Sequence, residues 1–337
     1  MKSNLDVLRA IAVCLVLADH AILFLTRFGA QALTGPPSPM RLGRYGVLIF
    51  FVHTCYVLLL SLGRDRNISL FQQALQFYVR RVFRIYPLVW LVVIACVLFH
   101  IPSAPNLPYA QTGTLALSAN LLLAQNLIHV PSTSGPLWSL PFEIQMYLVI
   151  PFLFWSMQLR RPWLGILIAY VTSVVVCLEG GRIRGGYLLD FVPCFLAGSV
   201  AYIWGRKAIP VLSCTLWPIV IFSTGLVFVG LPDLGPNGYK MASWAACMVL
   251  GLTLPLFRDV ETNTITVPAK LIAKYSYGLY VVHIPTMWVV LKLLPYGNIT
   301  VRIVIALAMS GVFAVLLYHA VEAPMIGLGR RLSSPPQ

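Results

Sequence analysis

Charge is scarce in this chain. Only 10 of its 337 residues are aspartate or glutamate, and charged residues of both signs make up 10% of it. A soluble globular domain carries about 25% charged residues, so this composition does not supply a water-facing surface. Several chemical signatures are missing as well. There is no P-loop, no Gly-rich dinucleotide fingerprint and no GxSxG elbow, which removes the common nucleotide-cradling and hydrolase motifs. HExxH and HxxxH do not occur, and His53, His100, His129 and His319 lack metal-ligand grouping, so no metal is expected. The seven cysteines all fall inside apolar segments without CxxC spacing. They read as small buried hydrophobes rather than as disulfides or metal ligands.

What the chain has in abundance is apolar sequence: 59% of residues are hydrophobic and the mean hydropathy is +0.83. Ten apolar stretches can be drawn, at roughly 5–25, 46–62, 85–101, 136–156, 162–178, 187–204, 211–229, 239–257, 272–294 and 301–320. A bilayer core of ~30 Å needs about 20 apolar residues in a helix. The expected fold is therefore all-α, a polytopic membrane helix bundle of about ten transmembrane helices. A shorter piece, Leu115–Leu127, reads as a partial or interfacial helix. The first segment carries Arg9 and His20 internally and no small-residue cleavage site follows it, unlike a signal peptide.

The net charge of +14 is organised by topology. With the N-terminus cytoplasmic, 16 of the 24 basic residues fall inside, among them Arg80, Arg81, Arg84, Arg160, Arg161, Arg330 and Arg331. The outer stretch 102–135 has no charged residue. This positive-inside distribution puts both termini in the cytoplasm and makes a nucleic-acid partner unnecessary. Two outer loops are rich in proline, Thr26–Tyr45 and Pro102–Gly135, and are either lids over an outer cavity or plain connectors. Residues 1–325 are expected to form one membrane domain and 326–337 a short cytoplasmic tail, ending in the unstructured SSPPQ.

The first segment, LDVLRAIAVCLVLADHAILFL, holds a polar stripe. At ~100° per residue, Arg9 and His20 are about 20° apart and Asp6 is about 40° from His20. The rise per residue puts His20 roughly 16 Å beyond Arg9, deep in the membrane. Ionisable groups at such depth are costly and face a protein interior or a wet cavity. Asp19 lies about 100° off the stripe and is either a partner of His20 or a contact to another helix.

Four further patterns follow in order: GVLIFFVHTCYVL from Gly46, RRVFRIYPLVWL from Arg80 at the start of the third apolar segment, WSLPFEIQMYLVIP from Trp138, and SYGLYVVHIP from Ser276, with VEAP near the end. Together these resemble the acyltransferase 3 family of integral membrane acyltransferases. The family's LDGLRxxA…H is matched by Leu5, Asp6, Leu8, Arg9, Ala12 and His20. Its RxxRIYP is matched by Arg81, Arg84, Ile85, Tyr86 and Pro87. Its WSLxxExQxYLxxP is matched by Trp138, Ser139, Leu140, Glu143, Gln145, Tyr147, Leu148 and Pro151. SYSLYLxHxP is matched by Ser276, Tyr277, Leu279, Tyr280, His283 and Pro285, with Gly278 in place of a serine, and ExP by Glu322 and Pro324. The chain departs most at GVDLFFVLSGF, where Leu48 replaces the acid and Thr54, Cys55 and Tyr56 replace Ser-Gly-Phe. That departure is expected to reshape a pocket wall and alter acyl or acceptor selection.

The resemblance implies an O-acyltransferase of the bacterial inner membrane. It would move an acyl group, most commonly acetyl, from cytoplasmic acyl-CoA to a hydroxyl of a carbohydrate, glycolipid or other glycoconjugate. A hydroxyl needs a base as it attacks a thioester, and His20 is the candidate. Arg81 and Arg84, with Arg9, suit the phosphates of coenzyme A because guanidinium forks match phosphate oxygens. Arg9 has the alternative of pairing with Asp6 or a buried glutamate. Glu143 either pairs with an arginine or orients His20. Trp138, Tyr277, Tyr280 and His283 are candidates for substrate binding, the last three repeating at i, i+3 and i+6, with Pro285 interrupting the hydrogen-bond ladder just beyond. Glu322 is expected to neutralise nearby arginines. Rival readings are a transporter or flippase of an anionic or lipid-linked substrate, and a non-catalytic homologue.

Overall fold

The computed structural model describes residues 3–28, 41–64, 68–104, 109, 111–179, 189–232, 235–261 and 266–333. Its helices in chain order are α1 (Ser3–Phe28), α2 (Arg41–Leu62), α3 (Leu70–Leu98), α4 (Thr114–Leu121), α5 (Leu140–Ser156) and α6 (Pro162–Leu178). They continue with α7 (Val192–Gly205), α8 (Trp217–Gly230), α9 (Gly235–Thr253), α10 (Thr266–Leu293), α11 (Ile299–Leu317) and α12 (Ala323–Ser333). Each of the ten apolar stretches contains a helix among the described residues, and the shorter piece contributes to the eight-residue α4. Among the described residues, five helical stretches are long and apolar enough to cross a membrane: Ser3–Phe28, Arg41–Leu62, Leu70–Leu98, Gly135–Ser156 and Ile299–Ser333. Pro162–Leu178, Val192–Gly205 and Cys214–Gly230 are shorter apolar helices.

The surface is that of a protein made for lipid. Leu226 is 74% exposed and Val227 66%, and large apolar side chains such as Leu167, Ile168 and Val304 also lie open. Exposure of so many contiguous apolar side chains is unfavourable in water and neutral in hydrocarbon.

Backbone contacts divide the chain into two compact units. The first comprises Met1–Ala12, Arg44–Ala74 and Gln145–Lys270. Its α2, α7 and α9 pack through glycine: a Cβ on Gly198 would strike the Val52 carbonyl, and one on Gly251 the Ala197 carbonyl. Small residues let membrane helices approach closely where water supplies no driving force between them. Phe51 stacks on Phe195 at 4.4 Å, and Tyr45 donates its hydroxyl to the Ile221 carbonyl at 2.8 Å. Asn4 fastens the start of the chain by donating to the Arg258 carbonyl and accepting from the Val260 amide.

Leu48 and Cys55, the departures on α2, are both fully buried in this unit. Cys55 Sγ lies 3.3 Å from Ser199 Oγ, and its Cβ would be 2.7 Å from a Cβ on Gly198. They are therefore packing residues of the first unit.

The second unit comprises Val13–Gly43, Leu75–Ile144 and Leu271–Gln337. Ala21 and Phe24 of α1, Ile284, Met287, Val290 and Leu291 of α10, and Ile303 and Ala306 of α11 form its apolar core. The stretch before α5 is held by its own amides. Asn120 Nδ2 donates to the carbonyls of Ala116 and Pro131 and its Oδ1 accepts from the Thr133 amide, while Gln125 Nε2 reaches the Leu137 carbonyl. A 3₁₀ turn, Gly135–Trp138, then leads to α5.

Three local expectations are revised. The arginine motif does not open α3, which begins at Leu70, so Arg80–Arg84 sit well inside it. The preceding turns contain Gln72, Gln73 and Gln76, and a hydropathy reading stops at such polar residues although they propagate a helix well. Pro285 removes one ladder hydrogen bond without ending α10, which runs on to Leu293. The chain also stays helical past residue 322: Ser333 is buried in α12, whereas 334–337, like Pro36, Pro37 and Pro39 of the first outer loop, lie outside the described residues.

Candidate active site

In α10 the residues Tyr277, Tyr280 and His283 fall on one helical face, with a rise of about 9 Å from first to last. Each uses its polar atom on a different sequence motif of the second unit. Tyr277 donates its hydroxyl to the Ile85 carbonyl at 2.7 Å, in the arginine turn of α3. Tyr280 donates to the Pro136 carbonyl at 2.9 Å and its oxygen lies 2.6 Å from Ser139 Oγ, in the Trp-Ser-Leu turn. His283 Nε2 lies 3.3 Å from Nδ1 of His20, on α1. One face of α10 thus gathers three motifs that are far apart in the chain.

The two imidazoles meet edge to face, with centroids 4.9 Å apart. Both are buried, His283 completely. Each Nδ1 also faces a carbonyl one turn earlier on its own helix: His20 to Val16 at 2.9 Å, His283 to Leu279 at 3.0 Å. Nε2 of His20 has no hydrogen-bond partner among the described residues.

Glu143 is half-buried in the first turn of α5, close enough to interact electrostatically with the Tyr280 hydroxyl. Trp138 is half-buried and meets Phe142 edge-on at 6.3 Å. Asp19 does both things the sequence left open: it lies within electrostatic range of His20 and meets another helix. Its carboxylate faces the first turn of α2, where a Cβ on Gly43 would come within 2.8 Å of Oδ2, a place where helix N–H groups favour negative charge.

The three arginines of α3 differ. Arg80 is used structurally, donating to Ser333 Oγ of α12 at 3.0 Å and to Gln76 Oε1 at 3.0 Å. Arg81 lies over the Phe77 ring at 5.9 Å. Arg84 is half-buried and makes no hydrogen bond or ion pair among the described residues, so its guanidinium is available. Arg9 belongs to the first unit, within electrostatic range of Asp6 and of buried His53.

Glu322 is buried at the end of a π-helical turn, Tyr318–Glu322, against α10. A Cβ on Gly278 would lie 3.0 Å from its Oε1 and 3.3 Å from Ala314 Cα. The glycine in place of the family's serine therefore makes room for the carboxylate.

A family model described as an acyltransferase domain matches residues 2–319. The chain belongs to the acyltransferase 3 family. Comparison with curated proteins and with solved structures finds no match. Membership makes this an acyltransferase of the membrane-embedded kind, in accord with the apolar helices. The match ends at residue 319, shortly before α12.

Sequence reasoning singled out His20 and His283 separately, one as base and one as substrate contact, and missed that they touch. No spacing rule links residues 263 positions apart. Ser139 was visible only as part of a motif, and helical spacing left Asp19 between two partners.

Proposed function

We propose that this protein is an O-acyltransferase of the bacterial inner membrane, with about ten spans and both termini cytoplasmic. It takes an acyl group, most commonly acetyl, from cytoplasmic acyl-CoA and places it on a hydroxyl of a carbohydrate or glycoconjugate. The observation that carries this reading is the open Nε2 of His20 within a buried, hydrogen-bonded imidazole pair. A buried imidazole with one uncommitted nitrogen suits a general base. Arg81 and Arg84 would hold the phosphates of coenzyme A, Arg84 with a guanidinium that has no competing carboxylate among the described residues. Trp138 and Glu143 would line the acceptor side.

In the reaction His20 takes the acceptor's hydroxyl proton as the oxygen attacks the thioester carbonyl. The new C–O bond forms, the C–S bond breaks, and the imidazolium returns its proton to the departing thiolate. Products are the ester and free coenzyme A.

The test uses purified protein in nanodiscs. Acetyl-CoA binding is measured by calorimetry, and turnover by release of free thiol, with slow hydrolysis by water standing in for an acceptor. Wild type should bind and release thiol, and His20→Ala should bind without release. Thiol release by a folded His20→Ala protein would remove His20 as the base. Failure of well-folded wild type to bind any acyl-CoA would remove the donor assignment.

A further inference from the structure

The contacts of the two imidazoles permit one arrangement of protons. His283 Nδ1 faces the Leu279 carbonyl at 3.0 Å, and a carbonyl accepts only, so Nδ1 carries hydrogen. In a neutral ring Nε2 of His283 is then bare and can only accept. Its neighbour at 3.3 Å is Nδ1 of His20, which must therefore be the donor. That one hydrogen is shared: the Val16 carbonyl, 2.9 Å from the same nitrogen, is the nearer acceptor and calls for the same tautomer. The opposite tautomer of His20 would set its bare Nδ1 against both a carbonyl and a bare nitrogen. Leaving acceptors face to face in a buried site costs the desolvation of each.

We infer that His283 is a positioning residue that, together with the Val16 carbonyl, holds His20 as the Nδ1–H tautomer, so that Nε2 of His20 is the nitrogen that takes the acceptor's proton. This rests on the reading of His20 as base and reassigns His283 from substrate contact to support of that base. When Nε2 is protonated, the positive charge spreads to Nδ1–H, and the hydrogen bond to His283 strengthens as the acceptor oxygen attacks. The proton then leaves again from Nε2 to the thiolate, so His283 never needs to change its own protonation. Tyr280 stands about one turn earlier on α10, its ring centroid 6.2 Å from that of His283 and its hydroxyl committed to Pro136 and Ser139. The titratable neighbours of the pair are Asp19, Tyr280 and, through Tyr280, Glu143. In serine-hydrolase triads a wrong imidazole tautomer costs about 10⁴-fold in turnover.

The experiment has two arms on the full-length protein in nanodiscs. In the first, ring-labelled histidine is incorporated and tautomers are read by solid-state NMR, with His20→Ala and His283→Gln used to assign signals. Both rings should be Nδ1–H, and an Nε2–H tautomer at His20 would overturn the inference whatever the activity. In the second arm, thiol release and acetyl-CoA affinity are measured for His283→Gln, whose side-chain oxygen can still accept from His20, and for His283→Leu, which cannot. His283→Leu should lose about 10²-fold or more in turnover with affinity unchanged, and His283→Gln should recover most of it. Equal turnover in the two variants would overturn the positioning role. Activity surviving in His20→Ala removes the base instead, and the NMR arm still reports on the tautomer.

Discussion

The hydroxyl of Tyr277 and the carbonyl of Ile85 are 2.7 Å apart, which fastens α10 to the turn of α3 that follows Arg84. A helix carbonyl has a second lone pair beyond its ladder bond, so this tie needs no break in α3. The helix face that carries His283 is thereby tied to the turn that carries the available guanidinium.

Removing that hydroxyl should loosen the arginine turn. Tyr277→Phe is expected to weaken acetyl-CoA binding by about 0.5–1.5 kcal/mol, roughly two- to tenfold, with the protein still folded. Calorimetric titration reads this directly, and unchanged affinity would reduce the bond to a local packing contact.

Within the arginine motif, position decides the effect. Arg84→Ala should cost about 1.5–3 kcal/mol of acetyl-CoA binding, the size of a charge-assisted hydrogen bond. Arg80→Ala should chiefly lower thermal stability, because it removes the bonds to Gln76 and Ser333. If both substitutions weakened the donor equally, Arg80 would belong to the donor site and α12 would be no mere prop.

Restoring the family's residues on α2 should harm stability more than it retunes selectivity. Leu48→Asp would bury a carboxylate where the leucine has no exposed surface, at a cost of several kcal/mol. Cys55→Gly would open a gap beside Ser199 and Gly198, at about 1 kcal/mol. A thermal-shift series in detergent reads both. An undiminished melting temperature with altered acyl preference would return these positions to the pocket wall.

Gly251 tolerates no larger side chain, because the Ala197 carbonyl occupies the space of a Cβ. Gly251→Leu should cost about 1–3 kcal/mol or more by forcing α7 and α9 apart. Folded yield on size-exclusion chromatography should fall, whereas Gly165→Leu, where a Cβ meets open space, should leave it intact.

Sequence patterns alone located every long helix among the described residues, because a run of apolar residues in a chain so poor in charge can satisfy its backbone only by coiling. They also ranked His20, since an ionisable group in such a run is too costly to be idle. Motif order carried the family. Ends of helices were less legible: glutamines continue α3 upstream of the arginines and the last helix runs to Ser333, where hydropathy has nothing to report.

Tertiary structure alone decided which polar atoms meet. His20 and His283 stand 263 residues apart, Tyr277 and Ile85 192 apart, and Tyr280 and Ser139 141 apart. A helical period places such residues on a face but cannot say which helix that face will pack against. The choice of neighbour depends on long-range packing of α1, α10 and α11 around a shared apolar core, and with it which ring joins the Val16 carbonyl in holding Nδ1 of His20 and leaving Nε2 open.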